Sequence, residues 1–235
     1  MEQKDTRGRR EAAGRKGKDS ERFAPFVVKY AAEHQLDIDY SKFRVAPDSK
    51  YSCLMPFHVA YVRDFFAKAV TGNIASAIDA TANIGADTVN LARMYPGAKI
   101  SALENNLHTF ELLKSNVETF KLPKVTALHM DAVKYVNALS SDEKVDLVYC
   151  DPPWGGPGYL NEKEVSLSLS GVDVGEFVGS CLKHAKTVVV KVPVNFAIDK
   201  FKERLKKHRI VRAGIPRRDD GEKREFAFYL IAVYQ

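Results

Sequence analysis

The chain has 235 residues, of which 45% are hydrophobic and 28% are charged, an ordinary balance for a globular protein. This length suits one α/β domain with an N-terminal extension, and the net charge of +6 suits a polyanionic partner. The irregular spacing of Cys53, Cys150 and Cys181 argues against a disulfide framework and a zinc site. No apolar run is long enough to span a membrane. We therefore expect an intracellular protein, nuclear or cytoplasmic, with no metal.

Residues 1–20 form a basic segment that contains Gly and Ala but no aromatic residue. Such a segment cannot bury a core, and it is therefore predicted to be disordered. Two interpretations remain open. The segment is either an arm for nucleic-acid binding or nuclear import, or a solvated tail with no further role.

Residues 21–72 are predicted to form a helical extension. Apolar residues recur at a spacing of three to four from Phe23 to Ala31, which predicts a first helix. A second helix is predicted to begin at Pro56, because proline is well suited to the first turn. An irregular segment over residues 37–55 separates the two. The apolar face of the second helix comprises Val59, Val62, Phe65, Phe66 and Ala69.

From residue 73 to the C-terminus, short apolar strands alternate with amphipathic helices, which predicts a parallel sheet covered by helices on both faces. The last two strands are joined only by a turn segment, so the final strand should be antiparallel to its neighbours. The predicted strands span residues 75–79, 99–104, 125–129, 145–150, 187–192, 210–215 and 226–234. The predicted helices span residues 86–95, 107–120, 132–139, 174–184 and 197–208. This seven-stranded layout resembles the Rossmann-like fold of the class I methyltransferases.

Three acidic residues stand at the ends of the first three predicted strands. Asp79 is followed by a turn of small residues, and ligands of such sheets bind beyond the carboxyl ends of the strands. Glu104 follows that turn by roughly 20 residues, the spacing at which an acid reaches the ribose of an adenosine-type cofactor. Asp131 ends the third strand. Each acid could instead cap a helix or turn, but the three together favour an adenosyl cofactor.

The segment from Ile78 to Asp87 resembles the first motif of the class I methyltransferases, in which an acid precedes a G-x-G turn. Asn83 stands at the first glycine position and Gly85 at the second. Asn is the residue other than glycine that best tolerates left-handed backbone. The resemblance implies that S-adenosylmethionine is the cofactor. Its implied binding residues are Asp79, Asn83, Gly85, Glu104, Asp131 and Asp151.

The fourth predicted strand runs into Asp151-Pro152-Pro153-Trp154, which matches the [DNS]-P-P-[YFW] signature of amino-methyltransferases. An exocyclic amino nitrogen is a poor nucleophile because its lone pair is delocalised into the base, so catalysis depends on positioning. Asp151 and the Pro152 carbonyl would accept the amino hydrogens, and Trp154 would stack on the base. We therefore predict that Asp151, Pro152 and Trp154 are catalytic. The alternative is a rigid surface turn.

The longer run Pro-Pro-Trp-Gly-Gly-Pro-x-Tyr, ending at Tyr159, is similar to that of the trimethylguanosine synthases. These enzymes methylate the N2 amino group of the 7-methylguanosine cap of RNA. Their helical extension carries a Lys-Tyr pair that resembles Lys29-Tyr30. The resemblance spans roughly residue 24 to the C-terminus. It implies that Trp154 stacks on the cap base, while Tyr159 and Lys29 contact the triphosphate.

Two positions depart from this family pattern. The family usually has Ser at the position of Asp151, and an acid also suits adenine-N6 or rRNA guanine-N2 enzymes. Its Pro-Arg-Asn segment, with Arg as a phosphate ligand, corresponds to Pro193-Val194-Asn195. Lys191 and Asn195 are therefore the candidates for substrate binding there. Tyr51 is the candidate for a second aromatic residue against the base.

Three functional hypotheses follow. The chain is a monomeric enzyme that methylates guanosine N2 of capped RNA, an amino-methyltransferase for rRNA, DNA or a protein glutamine, or an inactive RNA-binding module. The Gly-Gly-Pro-x-Tyr continuation and the helical extension favour the first over the second. The intact strand-end acids argue against the third.

Overall fold

The computed structural model describes residues 22–46, 53–217 and 225–235. The predicted disordered tail, Tyr51 and residues 218–224 of the C-terminal turn lie outside the described residues.

The described part of the chain contains nine strands: β1 (Ser76–Asp79), β2 (Lys99–Glu104), β3 (Val125–His129), β4 (Val145–Cys150), β5 (Ser168–Leu169), β6 (Val172–Asp173), β7 (Ala185–Val192), β8 (Arg209–Pro216) and β9 (Phe226–Tyr234). Seven of them form one sheet in the order β3-β2-β1-β4-β7-β9-β8. β1 pairs in parallel with β2 and β4, as do β2 with β3 and β4 with β7. β9 is antiparallel to both β7 and β8. The predicted mostly parallel sheet with an antiparallel C-terminal hairpin is confirmed.

Seven α-helices accompany the sheet in the described part of the chain. They are α1 (Pro25–Glu33), α2 (Pro56–Ala69), α3 (Ala86–Met94), α4 (Leu107–Thr119), α5 (Ala132–Ala138), α6 (Val174–Cys181) and α7 (Ile198–Arg204). α6 and α7 end earlier than predicted. At the end of α6, the amides of Lys183 and His184 bond three residues back, to Ser180 and Cys181, so the last turn tightens out of α-helical geometry.

Three small elements were not predicted. Two of them are 3₁₀ helices, Tyr40–Lys42 between α1 and α2 and Gly156–Asn161 in the loop after β4. The strands β5 and β6 form a separate antiparallel ribbon, whose turn contains Ser170 at φ 50° and Gly171 at φ 81°. Each strand of this ribbon has two residues, too few for an alternating apolar pattern to reveal it.

The helix α2 is confirmed both in its start at Pro56 and in its apolar face. It covers one face of the sheet, where Phe66 lies 5.9 Å from the Tyr149 ring. The apolar face of the first helix is narrower than its periodicity predicts. α1 buries only Val27 and Ala31, whereas Phe26 is 69% exposed.

The segment between α1 and α2 anchors the extension to the rest of the protein. The buried Phe43 ring lies 4.5 Å from Phe120, at the end of α4. The Asn116 side chain bonds both the N–H and the carbonyl of Arg44, as well as the Ile84 carbonyl after β1. The extension therefore packs beside the turn that follows β1.

Among the described residues, no helix is both long and apolar enough to cross a bilayer. In the same ranges, no three His, Cys, Asp or Glu residues are grouped as a metal site.

Candidate active site

One cavity of about 650 Å³ lies at the carboxyl ends of the central strands. The turn after β1 forms one end of it, and the loop after β4 forms the other, so both predicted halves of the site share a single space. The predicted site residues that line this cavity are Asn83, Glu104, Asp151, Pro152, Trp154, Tyr159 and Lys191.

Asp79 lies beneath the turn rather than in the cavity wall. Its fully buried carboxylate accepts hydrogen bonds from Thr88 Oγ1 at 2.6 Å and from the Thr81 amide at 3.4 Å. Burial, together with the neighbouring Asp87 carboxylate, raises the pKa of Asp79 to about 7. Asp79 therefore stabilises the turn after β1 through these hydrogen bonds and does not line the cavity.

The two turn residues that stand at the glycine positions both have left-handed backbone. Asn83 has φ 50° and Gly85 has φ 94°, as expected for the motif. A Cβ atom at Gly85 would lie 2.9 Å from Leu113 Cδ1 of α4, so glycine is required here for helix packing. Gly85 caps α3 and lies outside the cavity wall.

Glu104 connects the turn to the end of β2. Its carboxylate accepts the Asn83 amide at 3.1 Å and the Asn106 amide at 2.7 Å. Burial raises the pKa of Glu104, although these backbone donors oppose the shift. The Asn83 Oδ1 atom is buried, and no hydrogen-bond partner for it exists among the described residues. Two residues of the cavity wall therefore carry acceptor oxygens close to the turn.

Asp131 caps α5, the structural alternative considered for it. It accepts the Lys134 amide at 2.9 Å and a hydrogen bond from Ser170 Oγ. Its neighbours Met130 and Ala132 line the cavity, whereas Asp131 itself does not.

Several residues of the cavity wall were not predicted from the sequence: Thr81, Asn105, Thr109, Met130, Leu169 and Ser170. Of these, Leu169 and Ser170 come from the unpredicted ribbon, and the Ser170-Gly171 pair between apolar residues was the available signal.

Asp151 and Lys191 form an ion pair in the wall of the cavity. The distance from Lys191 Nζ to Asp151 Oδ2 is 2.7 Å, and their side chains are only 7% and 11% exposed. Burial raises the pKa of Asp151 to about 6, although the Lys191 ammonium acts against this shift. Burial alone would lower the pKa of Lys191, but the Asp151 and Asp87 carboxylates raise it above its ordinary value. Lys191 is therefore a buried cation bound to the loop after β4.

The aromatic end of the cavity is formed by Trp154 and Tyr159, whose rings meet edge to face at 5.3 Å. Asn195 supports this loop from outside the wall, since its Nδ2 donates to the Tyr159 and Glu162 carbonyls, each at 2.8 Å. Lys29 is exposed on α1, 3.6 Å from Glu33, and does not line the cavity. The structure thus brings Trp154 and Tyr159 together and leaves Lys29 apart.

The sequence profile described as RNA cap guanine-N2 methyltransferase matches residues 74–214, which is more than half of the chain. The chain belongs to this family. It is accordingly an S-adenosylmethionine-dependent methyltransferase of the RNA cap guanine-N2 methyltransferase family.

Two curated relatives are similar over shorter spans. The uncharacterized protein L320 of Acanthamoeba polyphaga mimivirus is 28% identical over 132 residues, covering 55% of this chain and 50% of that protein. The trimethylguanosine synthase of Schizosaccharomyces pombe is 29% identical over 94 residues, covering 39% of this chain and 38% of that protein. The matched part of the methyltransferase thus spans half or less of the length of each relative.

Solved structures share the fold. The SAM-dependent methyltransferase from Agrobacterium tumefaciens has a TM-score of 0.58 at 13% identity, covering 77% of this chain and 63% of that one. Human methyltransferase 10 domain containing protein has a TM-score of 0.55 at 15% identity, covering 89% and 94% of the two chains. At such low identities, the similarity shows the methyltransferase fold alone.

The residues of the cavity fit S-adenosylmethionine. The volume is within the range of pockets that enclose a small ligand, roughly 300–1,000 Å³. The carboxylate of Glu104 could accept ribose hydrogens, and the buried Oδ1 of Asn83, which has no partner among the described residues, is a second candidate acceptor. Bound S-adenosylmethionine would supply an electrophilic methyl group to this methyltransferase. Asp151 lines the same cavity, with its amide bonded to Thr81 of the turn after β1.

Proposed function

We propose that this methyltransferase transfers a methyl group to the N2 amino group of the 7-methylguanosine cap of RNA. The supporting observation is the single cavity that joins the turn at Asn83 and Glu104 to the aromatic pair Trp154 and Tyr159. A cofactor at the first end and a base at the second would place the reacting groups beside Asp151.

The contribution of the chain is mainly to position the amino group. Asp151 and the Pro152 carbonyl accept its hydrogens, which orients the nitrogen lone pair toward the methyl carbon. Bound S-adenosylmethionine would supply the methyl group, its carbon–sulfur bond breaking as the nitrogen–carbon bond forms. The nitrogen would then lose one proton, and Asp151 would receive it. In this proposal, the strand-end residues Asp79, Asn83, Gly85, Glu104 and Asp131 build the cofactor end.

Trp154 accounts for a preference for guanine that is already methylated at N7. N7 methylation gives the ring a formal positive charge, and a desolvated cation on a Trp face gains roughly 2 kcal/mol. A neutral guanine stacks without this gain. Lys191 Nζ is also near this ring, 5.8 Å from its centroid, but the Asp151 carboxylate compensates its charge. Trp154 therefore remains suited to a cationic base.

The triphosphate is assigned to Tyr159 and Lys29, with Asn195 holding the loop that carries Tyr159. Val194 is 42% exposed where the family has its phosphate-binding Arg, so this chain lacks that cation. Lys191 is buried and bound to Asp151, which makes a direct phosphate contact unfavourable for it. A monomeric state and a nuclear or cytoplasmic location remain predictions.

A second candidate is an amino-methyltransferase that acts on a neutral base within RNA. The observation that favours it is Asp151, because an acid at this position is shared with adenine-N6 and rRNA guanine-N2 enzymes. Such an enzyme would have no need of the N7 charge.

A substrate panel distinguishes the two candidates. The protein is incubated with labelled S-adenosylmethionine and 7-methylguanosine-capped RNA, unmethylated capped RNA, uncapped adenine-containing RNA or DNA, and Trp154→Ala protein serves as the negative control. We expect label on N2 of the 7-methylguanosine cap. Equal labelling of uncapped RNA, or label on adenine, would favour the second candidate.

A further inference from the structure

Two ion pairs link the same two parallel strands, β4 and β7. Lys186 Nζ lies 2.6 Å from Asp146 Oδ1 near the amino ends of the strands. Lys191 Nζ lies 2.7 Å from Asp151 Oδ2 at their carboxyl ends, beside the cavity. The first pair is at the surface, since Lys186 is 72% exposed, whereas the second is buried. Only the second pair therefore has both charges withdrawn from water.

A buried ion pair is weak support for stability, because the desolvation of both charges offsets much of their attraction. The Lys191 ammonium lies 5.0 Å from the centroid of the Phe228 ring and 5.8 Å from that of Trp154, so aromatic carbon surrounds it. A purely structural role would be served as well by an apolar side chain at this position. The pair lies in the cavity wall, with its ammonium near the Trp154 ring, which favours a role in the reaction.

The two oxygens of the Asp151 carboxylate have different surroundings. Oδ2 accepts from Lys191, and the Asp151 amide is bound to Thr81 Oγ1 at 2.7 Å, which fixes the residue at both its backbone and its side chain. Oδ1 is not bonded by Lys191. The indole N–H of Trp154 also favours this carboxylate, although it lies too far away or too poorly aligned to count as a hydrogen bond. Because Asp151 lines the cavity, an amino group entering from the Trp154 side is a suitable donor.

We propose that Lys191 is a positioning residue for methyl transfer, holding Asp151 ionised and oriented so that its second oxygen accepts an amino hydrogen of the substrate base. This inference rests on the proposed function in one respect, which is that the substrate presents an amino group to Asp151. It assigns to Lys191 a role through Asp151 instead of a contact with RNA phosphate.

The ionisation of Asp151 depends on groups from several elements. Lys191 of β7 favours the carboxylate form, whereas Asp87 of α3 and Asp79 of β1 disfavour it. Other titratable groups that act on the pair are His58, Cys53, Tyr149 and Cys150. With Lys191 replaced by Met, burial and the two carboxylates act on Asp151 without a cation, so its pKa must rise. At a fixed pH below that pKa, each tenfold increase in proton affinity lowers the ionised fraction about tenfold.

The test compares Lys191→Met with Lys186→Met, which breaks the equivalent pair at the opposite end of the same strands. Single-turnover transfer to 7-methylguanosine diphosphate is measured from pH 5 to 9 at saturating S-adenosylmethionine. We expect the acidic limb of the rate profile to move upward by about one pH unit or more in Lys191→Met, while Lys186→Met follows the parent. A Lys191→Met profile that coincides with the parent profile would overturn the proposal.

The double variant Asp151→Asn/Lys191→Met separates this role from packing. Asn cannot receive the amino proton, so we expect both Asp151→Asn variants to be slow. Asn needs no countercharge, however, so Lys191→Met should slow Asp151→Asn far less than it slows the parent at pH 7. An equal fold-loss in the two backgrounds would contradict a coupled pair and assign Lys191 to packing.

Thermal unfolding provides a second test of the ion pair that requires no substrate. Lys191→Met should lose stability relative to Lys186→Met as the pH rises from 5 to 8, since the buried Asp151 then resists ionisation. If 7-methylguanosine diphosphate takes no label but this difference appears, the cap proposal fails while Lys191 still controls the ionisation of Asp151. The rate profiles are then compared on the base that takes label in the substrate panel, where a coincident Lys191→Met profile again overturns the positioning role. Parallel unfolding curves for the two variants would refute the ion-pair proposal alone.

Discussion

The amide of Asp151 donates a hydrogen bond of 2.7 Å to Thr81 Oγ1. This contact ties the loop after β4 to the turn after β1, and both residues line the cavity. The two strands are adjacent and parallel, with Asp79 paired to Tyr149, so the two loops leave the sheet side by side. The spacing between the methyl donor and the amino acceptor thus depends in part on a threonine that sequence reasoning did not assign.

We expect Thr81→Val to slow methyl transfer roughly tenfold, because the loss of one partner of a buried hydrogen bond costs about 1–3 kcal/mol. Valine keeps the shape of threonine and leaves the Asp151 amide unpaired. Single-turnover rates at saturating cofactor provide the measurement. Thr119→Val is the matched control, since the Thr119 hydroxyl bonds Ser115 on the exposed side of α4. Equal rates for the two variants would show that the tie has no role in positioning.

Glu104→Ala is expected to weaken S-adenosylmethionine binding by roughly tenfold or more. The variant lacks the carboxylate that contacts the turn and, in our assignment, the ribose. Asp79→Ala should also weaken binding, but together with a lower melting temperature, because Asp79 acts from beneath the turn through Thr88. Calorimetric titration and thermal unfolding separate the two effects. Glu118→Ala, at an exposed position of α4, serves as the control. Unchanged affinity in both test variants would contradict the assignment of the cofactor end.

His58 provides a stability prediction with a defined sign. Burial, with the Lys191 charge as a smaller cause, lowers the pKa of His58 from 6.5 to about 4 in the folded protein. Between these values the unfolded chain takes up a proton that the folded chain does not, so the stabilising contribution is complete above pH 6.5 and is lost as the pH falls toward 4. Asp79 acts in the opposite direction between about pH 4 and 7, because its folded pKa is raised.

The His58 contribution is therefore measured as a difference between variants. From pH 7 to 4.5, the parent should lose about 2–3 kcal/mol of unfolding free energy relative to His58→Phe, as determined by urea denaturation. A phenylalanine ring suits this position, since His58 packs edge to face on Phe57 and Phe228. Replacement of the exposed His108 by Gln should reproduce the behaviour of the parent. A constant difference between His58→Phe and the parent over this range would contradict a buried neutral imidazole.

Most of the sheet was predictable because strand–helix alternation and the final helix-free connection constrain it. The apolar face of α2 was predictable as well, since its periodicity follows from burial against the sheet. Phe26 shows the limit of that reasoning. Its spacing places it with Val27, but α1 packs along a narrow stripe, and neighbouring positions on a helix differ by about 100°. Whether Phe26 or Val27 points toward the rest of the protein therefore depends on the tertiary contact of α1.

Within the site, motif residues on the strand-end loops were predictable, whereas their partners were not. The pairing of Asp151 with Lys191 joins residues 40 positions apart, and it follows from the register of β4 against β7. Ser170 reaches the cavity through a ribbon too short to leave a periodic pattern. For Asp131 and Gly85, the structure shows a helix-capping position at the start of α5 and of α3, respectively. Their roles in cofactor binding remain predictions.

The central claim is that Trp154 binds a guanine that already carries a methyl group at N7. The measurement is single-turnover methyl transfer to 7-methylguanosine diphosphate and to guanosine diphosphate, with the parent, Trp154→Phe and Trp154→Ala proteins. A cation–π gain of roughly 2 kcal/mol predicts a preference of about thirtyfold for the N7-methylated substrate. Trp154→Phe should keep part of the activity, and Trp154→Ala should lose most of it without losing affinity for S-adenosylmethionine. Equal rates on the two nucleotides, or a Trp154→Ala protein as fast as the parent, would contradict the cap assignment.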